Sequence, residues 1–536
     1  MKKLLLLLAF LINSASYSQE DAWVYFNDKP NAQFFLENPL EMLTQRALDR
    51  RNAQGISLVL NDVPVHQPYV DEIILQTGIE VKAKSKWLNC LHVRGTITAI
   101  QALSSLPFVS QILFADDSLN AKNVTISQNN LINKNLDVQI TFPYGSSSNQ
   151  IEMLNGHLLH QQNFTGTGKI IAVLDSGFIN VNTATPFQRL FTNNLILGGY
   201  NYVSRDENLY SLHNHGTLVL SCMGGFVQDQ LVGTAPDSKY YLYVTEDVLT
   251  ENPVEESYWV EAAEEADRVG VDIITSSLGY FEYENPNYSH TYSDMTGDAN
   301  FASKGANIAF SKGIIVVASA GNSGTSAEPH VGVPAEATNV LAIGAVKFDE
   351  SYAAFSSIGP SFDNRVKPDL MAQGQSVRVS NTDGNIVNAS GTSFSGPIMA
   401  GMIASFWQAV PNLTNQQVVN FVKQSADRFT NPDAQFGYGI PDFQLALNNS
   451  LLSVIQNIKN DYVVYPNPVI NHFSIRFPDD LSEISLTLYN NLGQIVLENK
   501  TVTSDEKINL ENLTSGIYFY KIASANATQS GKIIKN

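Results

Sequence analysis

The chain has 536 residues, 44% of them hydrophobic and 10% aromatic, which provides for packed cores and excludes a disordered or low-complexity protein. That length exceeds one core and predicts roughly three or four folding units. With 32 Lys and Arg against 51 Asp and Glu, the formal charge of -19 opposes a polyanion partner and argues against DNA or RNA.

Met1-Lys2-Lys3, an apolar run from Leu4 to Ile12 and then Asn13 to Ser18 have the layout of a secretory signal peptide, with cleavage expected after Ser18. The run is too short to cross a bilayer, and no later apolar stretch of about 18 residues follows, so no stable membrane span is expected and the mature protein should be soluble. Cys90 and Cys222 are the only cysteines, which allows at most one bridge. Loss of an N-terminal segment would remove Cys90 and leave Cys222 alone, so no intrachain disulfide is expected.

From Glu20 to Phe114 short strands and helices alternate: a strand over Ala22 to Phe26, a helical stretch over Phe35 to Arg51, and strands over Ile79 to Ala83 and Trp87 to Val93. A helix over Thr96 to Leu103 and a strand over Phe108 to Phe114 complete a small α+β unit. Residues 118 to 150 shift to Asn, Ser and Gln without apolar period and read as a linker. From Ile151 to Asn449 the pattern is α/β, with strands expected over Lys169 to Leu174, Tyr240 to Val244, Val271 to Ser276, Gly313 to Ser319 and Val340 to Val346. Runs such as Ile314 to Ala318 are apolar on both faces, as in a parallel sheet with helices on both faces. Beyond Asp461, short strands and turns predict a small all-β sandwich.

Three residues in the α/β segment carry acyl-transfer chemistry. Asp175 ends the strand Ile170 to Leu174, His215 opens the stretch His215-Gly216-Thr217, and Ser393 lies at a helix start in Gly391-Thr392-Ser393. Singly, each reads as a turn, a structural histidine or a helix cap. Together they supply a nucleophile, a base to take its proton and a carboxylate to orient the base, in the chain order Asp, His, Ser. Asn322, in Ser319-Ala320-Gly321-Asn322, follows a buried strand and offers a side-chain donor to a developing oxyanion, with the Ser393 backbone N–H as the second donor. His213 is a rival base but lacks the Gly-Thr context. Cys222 lies seven residues after His215, about 10 Å along the helix axis, and reads as a small buried hydrophobe rather than a nucleophile.

These residues resemble the motifs of the subtilisin-like serine peptidases: Ala172-Val173-Leu174-Asp175-Ser176-Gly177, His215-Gly216-Thr217, Ala320-Gly321-Asn322 and Gly391-Thr392-Ser393. Ser277-Leu278-Gly279, Pro334-Ala335, Lys367-Pro368-Asp369 and Gly437-Tyr438-Gly439 follow in order, so the likeness runs from about Gly156 to Asp442. Leu218, Gln373 and Ser395 depart from the pattern without removing a catalytic group, and bear on subfamily and substrate fit. The resemblance implies a serine endopeptidase with a subtilisin-like parallel sheet and no required cofactor. It places Ser277, Leu278, Gly279, Ala320 and Gly321 on the pocket for the side chain before the scissile bond, with Val331 to Ala335 closing its base. Only His330 and Glu336 bring charge near, so a neutral or apolar side chain is expected there. Tyr280 to Asp298, with Glu282, Glu284, Asp294 and Asp298, reads as a solvated loop. A calcium site there is the alternative, and no ligand spacing marks one.

The N-terminal unit resembles the family's inhibitory pro-domains, with a linker that crosses the active site and is cut between Ser118 and Gln150. The tail, with Val463-Val464-Tyr465-Pro466-Asn467-Pro468, Tyr489-Asn490-Asn491-Leu492-Gly493 and the closing Gly531 to Asn536, resembles the sorting domain read by the type IX secretion machinery. The expected order is a signal peptide (1–18), pro-domain (19–117), linker with processing region (118–150), peptidase domain (151–449), linker (450–460) and sorting domain (461–536). Partners are then peptide or protein substrates, the chain's own pro-domain and the secretion machinery, and the destination is extracellular or cell-surface. The rival reading is a secreted binding or adhesion protein on a catalytically silent scaffold of the same kind.

Overall fold

The computed structural model describes residues 19–120, 142–457, 462–477, 483–524 and 528–536. The expected signal peptide, most of the processing linker and part of the second linker lie outside them. The chain divides into two compact units with the break after Leu447.

A seven-stranded parallel sheet forms the centre of the first unit. Its spatial order is Leu370–Gln373, Val340–Val346, Ile315–Ser319, Ile273–Ser276, Ile170–Asp175, Lys239–Val244 and Ile196–Asn201. Successive side chains of a strand point to opposite faces, so a strand covered on both sides must be apolar throughout. Ile171 and Val173 pack with helices His215–Gly224 and Thr392–Ala409, whereas Ile170, Ala172 and Leu174 pack with helices Val254–Val269 and Phe301–Ser311. The Thr392–Ala409 helix is apolar around most of its circumference and is buried from Thr392 to Trp407, as such a helix must be. The chain reverses its direction across the sheet between Ile170–Asp175 and Ile273–Ser276. In open α/β sheets such a switch point, at the carboxyl ends of the strands, is where ligands bind.

The five expected strands are present within two residues of their expected ends. Two others, Ile196–Asn201 and Leu370–Gln373, have no counterpart in the sequence reading. Gly198 and Gly199 interrupt the apolar run of the first. Gly199 is required there, because a Cβ would fall 1.7 Å from the Leu242 carbonyl of the neighbouring strand.

The N-terminal unit is a four-stranded antiparallel sheet, ordered Ile79–Ser85, Cys90–Thr96, Gln19–Phe26, Val109–Phe114. The single helical stretch expected over Phe35 to Arg51 is two helices, Ala32–Glu37 and Gln45–Ala53. Pro39 opens a 3-10 turn between them, and the Thr44 hydroxyl caps the second by accepting from Ala47 N–H at 3.3 Å. The third strand starts at Cys90 rather than Trp87, because Asn89 adopts φ +52 in the preceding turn. Ala83, Trp87 and Cys90 join the apolar layer of the Val254–Val269 helix, so this sheet and the central domain share a core. Cys90 and Cys222 are both buried and unbridged.

The second unit consists of antiparallel sheets of three and four strands over a core that includes Phe473, Ile475, Leu486, Leu488, Ile522 and Ile533. No helix among the described residues is long and apolar enough to cross a membrane.

Candidate active site

Asp175 closes its strand fully buried. Its Oδ1 accepts the Ser176 N–H at 2.8 Å and lies 2.8 Å from His215 Nδ1. His215 opens the His215–Gly224 helix, and the Thr217 hydroxyl donates to the Ile179 carbonyl at 2.8 Å, tying that helix start to the loop after Asp175. A threonine two residues after the histidine therefore fixes where the imidazole stands. Burial pulls the His215 pKa down, but the charge and hydrogen bond of Asp175 outweigh it, and the net value lies above the ordinary 6.5.

His213 Nδ1 stands 2.9 Å from the Ser176 hydroxyl, and its ring centroid is 6.5 Å from that of His215. It meets Ser176, not Asp175. Burial pushes the Cys222 thiol well above its ordinary pKa, and its Sγ faces the Leu218 carbonyl of its own helix, as suits a core residue.

Ser393 is the second residue of the Thr392–Ala409 helix and is 9% exposed. The ring of the next residue, Phe394, lies 6.2 Å from the His215 ring, which sets this helix start against the imidazole. Asn322 Oδ1 accepts both the N–H and the hydroxyl of Thr392, at 2.9 and 3.1 Å. Because the Thr392 N–H can only donate, the amide orientation is fixed, with Nδ2 left as a donor. Gly391 has φ +153, and a Cβ on it would lie 3.6 Å from Asn322 Nδ2 and 3.7 Å from Ser393 N. A side chain at residue 391 would therefore stand against both nitrogens. Ser319 and Ser277 hold the segment from behind, donating to the Thr392 and Ser393 carbonyls at 2.7 and 2.9 Å.

Ser277, Leu278, Gly279, Ala320 and Gly321 line one cleft of about 210 Å³ together with Asn322 and Ser393. Gly332 and Val333, from the segment expected at its base, line it too. His330 is on the lining, whereas Glu336 lies beneath, wholly buried and bonded to Asn300 and Ser303. Glu328 also faces the cleft, a residue the sequence reading missed although it stands two positions before His330. Tyr280 and Phe281 extend the wall past Gly279.

In the loop expected to be solvated, the Asp294 carboxylate accepts from the Thr291 N–H and hydroxyl and so serves its own turn. Among the described residues a different set of carboxylates gathers: Glu246, Glu251 and Glu255.

Comparison with known proteins places the chain. Residues 166–439 match the family model described as Subtilase family, residues 21–131 the Peptidase S8 propeptide domain of Bacteroidota, and residues 463–536 a secretion system C-terminal sorting domain. Subtilisin DY of Bacillus licheniformis is 28% identical over 301 residues, 56% of this chain and 95% of that protein. Subtilisin E of Bacillus subtilis is 28% identical over 307 residues, 57% of this chain and 71% of that protein. The crystal structure of an epidermin leader peptide processing serine protease from Staphylococcus aureus superimposes with a TM-score of 0.54 at 16% identity, over 81% of this chain and 99% of that one. At that identity it speaks for the fold alone. The sorting domain is of the type IX kind and marks the chain for export to the cell surface or beyond. The chain belongs to the subtilase family: it is a serine-type endopeptidase made as a precursor with a propeptide domain.

Proposed function

We propose that peptide-bond hydrolysis proceeds through Ser393, His215 and Asp175, with Asn322 stabilising the oxyanion. The observation that carries this reading is the contact of Asp175 Oδ1 with His215 Nδ1 at 2.8 Å, set against the helix start that bears Ser393. Ser393 Oγ attacks the substrate carbonyl while His215 Nε2 takes its proton, and the Nδ1–H stays on the Asp175 hydrogen bond, which stabilises the imidazolium. The carbonyl oxygen becomes an oxyanion and receives hydrogen bonds from Asn322 Nδ2 and Ser393 N–H. His215 then gives its proton to the leaving amine, an acyl-enzyme remains on Ser393, and water repeats the sequence with His215 again as base. No step calls for a cofactor.

Asn322→Ala removes one oxyanion donor and also frees Thr392. The expected loss is about 10²- to 10³-fold in kcat with KM nearly unchanged, a scale taken from the corresponding asparagine of subtilisin itself. Steady-state hydrolysis of a chromogenic peptide reads it, and a variant whose KM rises at constant kcat would remove Asn322 from this role. Since His215 must be neutral to act as base and its pKa is raised, kcat/KM should fall with decreasing pH through a midpoint above 6.5. A midpoint below that value would contradict the coupling to Asp175.

Leu278, Gly279, Ala320 and Gly321 wall the cleft and suit an uncharged side chain before the scissile bond, with Glu328 and His330 the charge-bearing residues on the lining. The N-terminal sheet, held on the Val254–Val269 helix, acts as the inhibitor until the linker is cut. Cleavage profiling on a peptide library tests the first point, and N-terminal sequencing of secreted protein tests the second.

A further inference from the structure

Glu246 follows the end of the Lys239–Val244 strand, Glu251 lies in the loop beyond it, and Glu255 is the second residue of the Val254–Val269 helix. One carboxylate oxygen from each lies within 4.8 Å of those of the other two. Glu255 is wholly buried, its two oxygens taking the N–H groups of Asp247 and Asn252 at 2.7 and 3.2 Å, so it cannot swing away. Glu246 Oε2 is buried without a hydrogen-bond partner. Tyr280 supplies an independent observation from another part of the chain. It is 1% exposed, it faces Glu246 and Glu255, and its hydroxyl makes no well-formed hydrogen bond.

The charges that act most strongly on these groups are negative: Glu251, Glu255 and Asp175 on Glu246, Glu284 on Glu251, and Glu251 and Asp247 on Glu255. Three carboxylates gathered this closely, one of them wholly buried, call for a positive charge among them. One proton bridges two oxygens and leaves a third carboxylate uncompensated. Three carboxylate oxygens within 4.8 Å of one another, with a tyrosine hydroxyl beside them, make an all-oxygen donor set of the kind that suits a hard divalent cation such as calcium.

We propose that Glu246, Glu251 and Glu255 form a calcium site, with the Tyr280 hydroxyl as a neutral oxygen at its inner wall. The ion ties the strand end beside Asp175 to the start of the Val254–Val269 helix and so pins the loop between them. Thr245, next to Glu246, already donates its N–H to the Asp175 carbonyl at 3.0 Å, so the tie reaches the backbone of the active-site strand. The proposal does not depend on the peptidase mechanism.

The test compares the full-length Ser393→Ala protein, which avoids self-digestion, with the same protein also carrying Glu246→Gln and Glu251→Gln, both stripped with EGTA. Equilibrium dialysis against radioactive calcium should show one ion fewer per chain in the second protein. Calcium at about 100 times Kd should raise the melting temperature of the first by about 5 °C more than that of the second. Circular dichroism establishes that both are folded, since the glutamines keep the shape and remove the charge. Equal calcium uptake by the two proteins overturns the proposal. Should uptake be equal while Glu246→Gln in the active enzyme lowers kcat/KM selectively for peptides with Lys or Arg, the carboxylates receive a substrate side chain instead, and the calcium assignment falls.

Discussion

Replacing Ser393 by alanine is expected to lower kcat by about 10⁶-fold, a magnitude drawn from loss of the nucleophile in subtilisin itself. The substitution deletes a single oxygen. The helix that bears it is held by groups that stay in place: the Ser393 carbonyl by Ser277, the Thr392 carbonyl by Ser319, and the Thr392 N–H by Asn322. The loss should therefore be chemical rather than structural, with melting temperature and substrate affinity close to those of the parent. Casein hydrolysis and fluorophosphonate labelling of secreted protein measure it. A variant that still took the label would place the nucleophile elsewhere, and unlabelled, correctly processed parent protein would overturn the mechanism. If the variant also keeps its N-terminal unit covalently attached, processing is the work of Ser393.

The second large effect is expected where the N-terminal sheet meets the Val254–Val269 helix. Asp267 on that helix is wholly buried and accepts from Arg50 and Arg51 at 2.5 and 2.7 Å. Asp62 takes Arg51 and Lys312 at 2.9 Å each, so Lys312 of the central domain also enters the network. Around this centre Glu264 accepts from Ser85 and from the Lys86 and Trp87 N–H groups, and Trp23 stacks on Phe301 at 4.9 Å. Removing one partner of a buried ion pair costs about 3–5 kcal/mol, because the remaining charge keeps its desolvation penalty. Asp267→Asn leaves two guanidinium groups short of countercharge and should weaken the hold on the cleaved propeptide at least about 10²-fold. In mature enzyme the position lies away from Ser393, so kcat/KM there should be unchanged. Following the recovery of activity after linker cleavage separates the two quantities. Release at the parental rate would show that the apolar contacts, not the ion network, hold the propeptide.

Asp175, His215, Asn322 and Ser393, the residues proposed for catalysis, stood out in the sequence because each sits at or just beyond a strand end, or at a helix start, where local requirements leave a trace in neighbouring residues. Thr217 anchors the helix that begins at His215, Thr392 orients Asn322, and Gly391 keeps a side chain away from Asn322 Nδ2 and Ser393 N, so the short motifs record local geometry. The central strands were legible for a related reason: burial on both faces forces an unbroken apolar run, as in Ile170 to Leu174. The strand Ile196–Asn201 escaped notice because close approach to Leu242 demanded glycine, which erases that signature. Gln45–Ala53 separated from the preceding helix through a cap at Thr44 that periodicity alone does not weigh.

Other features depended on which distant segments meet. Nothing in the sequence pairs Arg50 and Arg51 with a partner, and the fold sets them on Asp267, more than 200 residues away along the chain. Glu328 entered the cleft wall, and Glu336 left it, through the path of a loop rather than any pattern of residues. Glu246 and Glu255 belong to an ordinary acidic stretch of sequence, and only the return of the chain at Tyr280 encloses them. Backbone geometry and burial leave marks on neighbouring residues, so a sequence can announce them. Pairing between buried charges depends on through-space distance, which the order of residues does not contain and tertiary packing alone supplies.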